Sequence, residues 1–491
     1  SCLGYSYRGM WSNLGYMRRA KIVCTLGPAT ESPEQVQALV DAGMNVARIN
    51  RSHGSAKDQE VVIDRVRAAA AASGRPVAIL VDLQGPKIRL GRFVDDQKVM
   101  LNKGDEFTIT IDDVLGTVKR ASTTYKGLPG DCAPGDMLLI DDGNVAIRVV
   151  AVTDTDVITK VEVPGYVSNH KGINLPGVAV SVPALSEKDR EDLRWGLNIG
   201  ADIIALSFVR NAKDIEDVHQ IMDEEGIRRP VIAKIEKPQA VDNLEQIVDA
   251  FDGIMVARGD LGVEYPLEAV PLVQKRAIEL ARRYAKPVIV ATQVLDSMIS
   301  NPRPTRAEAS DCANAILDGA DAVMLSGETS VGAYPIEAVR TMASIIENVE
   351  EHGGDRIAPL GSEPHTVGGA ITRAAAGIGE RIGATHLVTF TQSGDTARRL
   401  SRLRNHIPLL AFSPLQTTCN QLSVSWGVHA YKVDEVRHTD EMVKQVDQFL
   451  REKKLAPEGA QVVIVAGMPP GTPGATNSIR VHTVGEQVDF D

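Results

Sequence analysis

The sequence predicts an α/β protein built on a closed (β/α)₈ barrel, with a small all-β domain inserted into the barrel and an α/β domain after it. Three observations favour this fold. Eight short apolar segments alternate with amphipathic stretches, the interval between residues 84 and 202 interrupts that alternation, and the pattern changes again after residue 351. Each of the three domains follows from one of these observations.

The eight apolar segments are interpreted as parallel strands, because apolar strands separated by helices are typical of a parallel sheet covered on its outside. Eight such units favour a closed TIM barrel over an open sheet. The predicted strands are residues 21–27, 45–50, 76–84, 201–208, 230–236, 253–260, 287–293 and 322–328. We expect a barrel of residues 20–85 and 184–352, preceded by an extension, residues 1–19, that is disordered or foreign to the natural chain.

Residues 86–183 predict the inserted domain. Segments 106–111 and 145–151 alternate apolar and polar side chains, and Pro-Gly and Asp-Gly pairs mark turns between such segments. After a Gly- and Pro-rich linker, two helices and three strands alternate, with strands at residues 386–390, 408–412 and 462–466. We therefore expect residues 353–491 to form an α/β domain with a short, mostly parallel sheet.

Composition limits the kinds of partner. The 491 residues carry a net charge of −11, which disfavours a nucleic-acid partner because phosphate backbones require a basic surface. No apolar run approaches the roughly 18 residues that a membrane span needs. Five scattered cysteines without metal-type spacing indicate reduced thiols in a cytoplasmic protein.

Polar residues follow most of the predicted barrel strands, at the end of the barrel where active sites of this fold form. A single such residue is more often a turn or cap residue than a ligand. Five strands with polar residues at corresponding depth favour a site. The residues are Arg48, Asn50, Ser52 and His53, then Asp82, Lys87 and Arg89, then Ser207, Lys234, Glu236, Asp260 and Thr292.

The charges at these positions indicate a chemistry. Glu236 and Asp260 come from adjacent strands and offer the oxygen ligands that Mg²⁺ accepts. Lys234 shares one face of its strand with Glu236, and Arg48 adds a second cation. A divalent ion surrounded by cations suits a polyanionic substrate. Phosphoryl transfer fits best, because its catalysis is largely positioning and charge neutralisation.

Six motifs, in order and correctly spaced, resemble those of the pyruvate kinase family, and the similarity extends over residues 21–484. The motifs are RINRSHG (48–54), DLQGPKIR (82–89), AKIE (233–236), MVARGDLG (255–262), ATQ (291–293) and MLSGET (324–329). The resemblance implies the glycolytic reaction of phosphoenolpyruvate with ADP to give pyruvate and ATP. It also implies a homotetramer and Mg²⁺ as cofactor, with Mn²⁺ as an alternative.

The resemblance also implies roles for individual residues. Arg48 would bind the substrate phosphate, Lys234 would stabilise the transferring phosphoryl group and the enolate oxygen, and Glu236 and Asp260 would hold the metal. Thr292 would lie near the carbon that receives the proton. The substrate contacts would be Arg48, Ser207, Lys234, Gly259, Asp260 and Thr292, and the nucleotide contacts would be Asn50, His53, Arg89 and Lys171. The inserted domain would close over the barrel from a hinge at Gly85-Pro86 and exclude water.

One motif departs from the usual family pattern. Many members bind K⁺ with the residues equivalent to Asn50, Ser52 and Asp82 and with the carbonyl of a threonine that follows the aspartate. Here Leu83 replaces that threonine, and Lys87 replaces a glutamate. A further two positions of these motifs also differ, namely Arg51 and Gln84. An ammonium is a compact charge like K⁺, so we hypothesise that Lys87 makes K⁺ unnecessary.

Family members carry an effector site in the C-terminal domain, and one loop here suits a phosphate. Hydroxyls and N–H groups where a helix begins favour anions, although the same residues are ordinary caps and Asp395 would repel an anion. The predicted effector is AMP or a sugar phosphate. The predicted effector residues are Thr391, Ser393, Gly394, Thr396 and Arg398, with Arg399 as an additional cation.

Two alternatives stay open on the sequence alone. A Mg²⁺-dependent aldolase acting on pyruvate or its enolate would share the two acids and an arginine, but would not need the inserted domain or Lys171. A non-catalytic homologue that binds only the effector would not need intact Lys234, Glu236, Asp260 and Thr292.

Overall fold

The structure is a computed structural model that describes residues 18–178, 180–467 and 476–488. The strands, numbered in chain order, are β1 (Lys21–Thr25), β2 (Val46–Asn50), β3 (Ala78–Asp82), β4 (Val99–Leu101), β5 (Glu106–Thr110), β6 (Arg120–Ser122), β7 (Met137–Ile140), β8 (Val145–Val152), β9 (Asp156–Val163), β10 (Gly165–Val167), β11 (Ile173–Asn174), β12 (Ile203–Leu206), β13 (Val231–Ile235), β14 (Gly253–Ala257), β15 (Val288–Ala291), β16 (Ala322–Leu325), β17 (His386–Phe390), β18 (Leu409–Ser413), β19 (Val428–Lys432), β20 (Gln461–Gly467) and β21 (Thr476–Thr483).

The α-helices are α1 (Pro33–Ala42), α2 (Ala56–Ser73), α3 (Leu128–Asp131), α4 (Glu187–Asn198), α5 (Ile215–Glu225), α6 (Pro238–Asp242), α7 (Leu244–Ala250), α8 (Arg258–Glu264), α9 (Val270–Arg283), α10 (Arg306–Asp318), α11 (Gly327–Ser330), α12 (Pro335–Gly353), α13 (Val367–Ile382), α14 (Asp395–Ser401), α15 (Gln416–Gln421) and α16 (Thr439–Glu452). No helix in the described part of the chain is long and apolar enough to cross a bilayer.

Eight parallel strands close the predicted barrel, in the order β1-β16-β15-β14-β13-β12-β3-β2. The strands read as continuous apolar runs because both of their faces are buried, one inside the barrel and one under the helices. Several strands end earlier than predicted. The segment 253–260 leaves the sheet after Ala257, and helix α8 begins at once, so Asp260 lies in the first turn of a helix rather than on a strand.

The inserted domain has its own core and is all-β apart from short helical turns. A six-stranded sheet has the order β11-β7-β8-β9-β5-β6, and β10 pairs with β4. Phe93, Phe107 and Leu138 lie in a buried cluster formed entirely by residues of this insertion. We call residues 86–183 the lid domain, because the chain leaves the barrel after β3 and returns to it at α4.

The C-terminal sheet has the order β19-β18-β17-β20-β21 and is parallel except for the last pair. This domain packs on the end of the barrel opposite to the polar strand ends. Val424 joins the cluster of side chains inside the barrel, where it lies with Val23 and Val46, and Trp426 joins the cluster around the barrel wall. The Lys21 ammonium donates to Val428 O at 2.8 Å. The predicted three-part fold is confirmed.

The predicted N-terminal extension needs one correction. Residues 1–17 lie outside the described residues, but Arg18 and Arg19, assigned to the extension, belong to the fold. The Arg18 guanidinium is 1% exposed and donates to Gly43 O at 2.6 Å, at the end of α1. The Arg19 N–H donates to the Glu350 carboxylate. Isolated arginines next to an apolar strand gave no sequence signal for these contacts.

Candidate active site

The Asp82 carboxylate is the centre of the charged groups at the barrel mouth. It ends β3, is 1% exposed, and accepts a hydrogen bond from Arg48 Nε at 2.7 Å. The Lys234 ammonium donates to both of its oxygens at 3.2 Å, and the Ser207 hydroxyl lies 3.1 Å from that ammonium. Four strands therefore meet in one buried cluster, since Arg48 also donates to Thr25 on β1.

The charges of this cluster stabilise one another. Burial alone raises the pKa of Asp82, but the adjacent Lys234 and Arg48 reverse this and hold the pKa below its usual value. Burial alone lowers the pKa of Lys234, but Asp82 and Glu236 more than compensate and raise it. Both groups are therefore charged at neutral pH. A buried carboxylate keeps two cations in place at the mouth of the barrel.

Glu236 and Asp260 form a second, acidic group beside this cluster. Glu236 is 2% exposed, its Oε1 lies 3.4 Å from Lys234 Nζ, and its Oε2 accepts the Phe208 N–H at 2.7 Å. Burial raises the pKa of Glu236, Lys234 opposes this, and Asp260 adds to it. Within the described residues, no group donates a hydrogen bond to the half-buried Asp260 carboxylate. Two repelling carboxylates at an open mouth fit a hard divalent cation that keeps some of its waters.

The turn after β15 places Thr292 against helix α8. Thr292 has φ of 68°, a left-handed conformation that a β-branched residue rarely adopts, and such strain is concentrated at functional sites. Its hydroxyl accepts the Gly259 N–H at 2.7 Å, and its carbonyl accepts Arg258 at 2.8 Å. Arg258 in turn forms a bidentate ion pair with Asp311. The structure thus brings Gly259, Asp260 and Thr292 together.

The residues after β2 lie at the same end of the barrel. Asn50 is opposite Asp82 in the sheet, and its side-chain oxygen accepts the Ser52 N–H at 3.0 Å. His53 is exposed. Leu83 is 1% exposed, so its side chain is part of the core and not of the open mouth.

The cations predicted on the lid lie in the segments that precede its first strand, β4, and its last strand, β11. Arg89 pairs through its backbone with Gly172 and donates to His170 O at 2.9 Å. Lys171 lies 3.4 Å from Asp141 and is 40% exposed, so its ammonium faces solvent. The half-buried Lys87 side chain lies against Gly172, where an added Cβ would be 2.5 Å from Lys87 Cε. No described residue forms an ion pair with Lys87, so the structure does not bring its ammonium onto Asp82.

Comparisons with known proteins identify the family. A model described as the barrel domain of pyruvate kinase matches residues 17–339, and one described as its alpha/beta domain matches residues 369–482. The chain is 58% identical to a protein named pyruvate kinase from Mycobacterium tuberculosis H37Rv, over 96% of this chain and 99% of that protein. The chain belongs to the pyruvate kinase family. It is therefore an enzyme, a phosphotransferase, as the resemblance implied.

Other relatives extend the comparison. The protein named pyruvate kinase from Corynebacterium glutamicum is 57% identical over 96% of this chain and 98% of its own length. A crystal structure of a pyruvate kinase from Cryptosporidium parvum has a TM-score of 0.89 and 33% identity, and covers 98% of this chain and 100% of that one. The likeness to pyruvate kinases therefore includes the barrel, the lid and the C-terminal domain.

Three residues that carry no sequence signal for a contact connect the lid to the mouth of the barrel. The Asn174 amide, 5% exposed on lid strand β11, donates to Glu264 Oε2 at 3.0 Å. Lys237 donates to the same oxygen at 2.6 Å. Glu264 lies on helix α8, whose first turn carries Asp260, and Lys237 directly follows Glu236. We call these three residues, Asn174, Glu264 and Lys237, the lid latch.

The hinge packs against the same region. Gly85 has φ of 79°, and a Cβ there would lie 2.6 Å from Phe208 Cδ2 and 2.7 Å from Ser207 Cβ. The Gly85 N–H donates to the buried Asp189 carboxylate at 3.0 Å. Only glycine fits both the backbone and the space, which explains the Gly-Pro pair at the entrance to the lid. A glycine in a turn was the one sequence signal available for this packing.

The predicted effector loop lies between β17 and α14. The Thr391 hydroxyl accepts the Gly394 N–H at 2.7 Å, and Gly394 has φ of 90°. Thr396 is hydrogen-bonded to Thr476, and Arg398 donates to Ser393 O at 3.1 Å. The Asp395 carboxylate pairs with Arg399 at 2.8 Å, which reduces the repulsion expected for an anion. The predicted effector residues therefore lie close together, in the turn after β17 and in the first turn of α14.

The lid latch predicts a measurable effect of Asn174→Ala. The substitution removes a hydrogen bond to a carboxylate, which is worth about 1.5–3 kcal/mol. The population of the open lid should therefore rise by about tenfold or more. Hydrogen–deuterium exchange of strand β11 and helix α8 should rise correspondingly. Asn102→Ala, an exposed asparagine of the same domain, is the matched control. Equal exchange in Asn174→Ala and in the native enzyme would show that the latch does not hold the lid.

Proposed function

We propose that this enzyme transfers the phosphoryl group of phosphoenolpyruvate to ADP and so forms pyruvate and ATP in glycolysis. The observation that carries the proposal is the juxtaposition of two carboxylates, Glu236 and Asp260, with the cations Lys234 and Arg48 at the mouth of the barrel. A phosphorylated carboxylic acid carries several negative charges, and this mouth offers both fixed cations and ligands for a metal.

The fixed groups would act mainly through position and charge. The Asp82 carboxylate holds Lys234 and Arg48 in place before substrate binds, so their charges need little reorganisation as the phosphoryl group moves. Lys234 would neutralise the negative charge on that group and on the enolate oxygen, and Arg48 would bind the phosphate. Glu236 and Asp260 would hold Mg²⁺ or Mn²⁺, which supplies a Lewis acid when bound.

Helix α8 and Thr292 would hold the other end of the substrate. The Gly259 N–H donates to the Thr292 hydroxyl, which leaves the hydrogen of that hydroxyl free to donate to a substrate carboxylate. Thr292 would also lie near the carbon that receives the proton. Asn50, His53, Arg89 and Lys171 would contact the nucleotide, so ADP would lie between the barrel and the lid.

Regulation and assembly are part of the same proposal. We propose that Thr391, Ser393, Gly394, Thr396 and Arg398 bind a phosphorylated effector, AMP or a sugar phosphate, and that the enzyme is a homotetramer. The pairing of Asp395 with Arg399 supports an anion at this loop. The described cysteines are free thiols, which supports a reducing, cytoplasmic setting.

Neither alternative reading accounts for the whole chain. An aldolase would leave the lid latch and Lys171 without a purpose. A non-catalytic homologue would have no need to hold Lys234 and Arg48 charged around a buried carboxylate, which is a costly arrangement.

A coupled assay of pyruvate formation tests the activity. Native enzyme with Mg²⁺ should form pyruvate from phosphoenolpyruvate only when ADP is present. Lys234→Met should lower kcat by about 10³-fold, since a preorganised charge at the transferring group is lost. Lys213→Met, which removes an exposed lysine of the same barrel, should leave kcat unchanged. Pyruvate formation that does not depend on ADP would contradict the proposal.

We also propose that K⁺ is not required, because Lys87 supplies a fixed cation near the nucleotide. Its ammonium has no ion-pair partner among the described residues. The Leu83 carbonyl, which stands where a threonine carbonyl binds K⁺ in other members, already accepts the Ser207 hydroxyl at 2.6 Å. Closure of the lid on its substrates would bring Lys87 toward Asn50 and Asp82, two of the groups that would otherwise coordinate K⁺.

The K⁺ proposal predicts two rates. Native enzyme should have the same kcat in KCl and in tetramethylammonium chloride of equal ionic strength. The kcat of Lys87→Glu combined with Leu83→Thr should be at least about tenfold lower than native in tetramethylammonium chloride. It should recover in KCl, since K⁺ then replaces the missing ammonium. Strong activation of the native enzyme by K⁺ would refute the proposal.

A further inference from the structure

A small cavity between the barrel and the C-terminal domain is lined by an excess of cations. It lies beside the end of α9, far from the polar strand ends, and its free volume is about 10 Å³. The charged residues that line it are Arg282, Lys286, Arg398, Arg402, Arg404 and Asp321. Five cations thus surround one carboxylate in a largely buried space.

Among the described residues, one of these cations forms a close ion pair with a carboxylate, although Asp252 lies near enough to Arg398 and Lys286 to oppose the lowering of their pKa values by burial. Arg404 forms an ion pair with Asp321 at 3.0 Å. Within the described residues, the other four form no ion pair and donate to main-chain carbonyls. Arg282 donates to Arg402 O at 3.0 Å, and Arg402 donates to Arg283 O at 2.8 Å. A carbonyl satisfies an N–H group but leaves the formal charge in place.

Burial makes the charged form of these arginines costly, and for Arg282 a neighbouring cation adds to that cost. The pKa of Arg282 is lowered to about 10, first by burial and then by the nearby Arg404, although Asp321 opposes both effects. Burial also lowers the pKa of Arg404, again against Asp321. An arginine normally stays charged to far higher pH, so a bound anion would offset the cost of burying these charges.

The cavity also has hydrogen-bond donors without acceptors. The Ser425 hydroxyl lines it, and Ser425 is 1% exposed. Neither this hydroxyl nor the Nε groups of Arg402 and Arg404 have a hydrogen-bond partner among the described residues. A buried donor without a partner costs about 1–3 kcal/mol, and most such groups in proteins are satisfied by a bound species.

We propose that this cavity binds a monatomic anion of the size of chloride, which bridges the barrel and the C-terminal domain. The free volume is close to that of one water-sized species, so a tetrahedral oxyanion would need larger side-chain movements than a chloride ion would. The cation excess favours an anion over water. Chloride accepts hydrogen bonds from any direction, which suits an N–H and O–H lining that comes from several segments.

The anion would stabilise the contact between two domains. Arg282 belongs to barrel helix α9, whereas Arg402, Arg404 and Ser425 belong to the C-terminal domain. Hydrogen bonds already cross the boundary in both directions, because Arg282 donates to Arg402 O and Arg402 donates to Arg283 O. Arg404 also donates to Gly319 O on the barrel at 2.7 Å. An anion between them would convert repulsion among these cations into attraction.

Bromide in place of chloride gives a direct test. Crystals of the native enzyme soaked in sodium bromide should show an anomalous peak in the cavity within hydrogen-bond distance of Ser425 Oγ. Ser425→Ala crystals should show a weaker peak or none. A fully occupied water in the native crystals, without anomalous signal, would overturn the proposal.

Thermal unfolding in solution gives a second test. At equal ionic strength and heating rate, native Tm should be at least about 2 °C higher in sodium chloride than in sodium gluconate, because a ligand stabilises the state that binds it. Ser425→Ala should lose most of this difference, and it should be no less stable than native in gluconate, where the hydroxyl is unsatisfied. Ser423→Ala is the matched control, because its hydroxyl bonds Pro76 O at 3.2 Å and does not line the cavity.

Each result in solution decides the matter. Ser423→Ala should lose stability equally in both salts and keep the chloride effect. Equal native Tm values in chloride and gluconate would refute the anion site. Stabilisation by sodium phosphate but not by chloride or bromide would refute the size argument and assign the cavity to a phosphate group instead.

Discussion

The buried Asp82 carboxylate is the interaction on which the rest of the catalytic end depends. It accepts hydrogen bonds from Arg48 on β2 and from Lys234 on β13. The Ser207 hydroxyl, directly after β12, lies beside it. A lone buried charge is expensive, and a buried ion pair is seldom the most stable solution. This unfavourable burial of charge occurs at the strand ends, where cations are needed to neutralise a polyanionic substrate. The cluster is therefore better explained by binding and catalysis than by stability.

The lid and the proposed metal ligands depend on the same small region. Glu236 and Lys237 are consecutive residues, and Asp260 and Glu264 lie on one short helix. The groups that would hold the metal are thus covalently close to the groups that hold the lid. A lid that closes onto Glu264 acts on the helix that carries Asp260, so closure and metal binding are expected to favour each other.

Much of the barrel could be predicted because its signals are local. An apolar run followed by a polar residue identified Asp82, Lys234 and Glu236, and their closeness follows from the common direction of the strands. The short helix that carries Asp260 was not predicted, because its glycines and charges read equally well as a turn. The Asn174–Glu264 contact joins residues 90 positions apart, and nothing in either neighbourhood specifies the partner. Arg18 was assigned to the extension for the same reason, because its acceptor is the carbonyl of Gly43.

The central claim is that Asp82 keeps Lys234 and Arg48 in their catalytic positions. The most direct test is the kcat of Asp82→Asn, compared with that of Asp192→Asn, which neutralises another buried carboxylate of the barrel paired with Arg51 and Lys188. Both variants should first be shown to be folded by circular dichroism. The account predicts that kcat falls by at least about 100-fold in Asp82→Asn and far less in Asp192→Asn. A folded Asp82→Asn enzyme with nearly native kcat would contradict it.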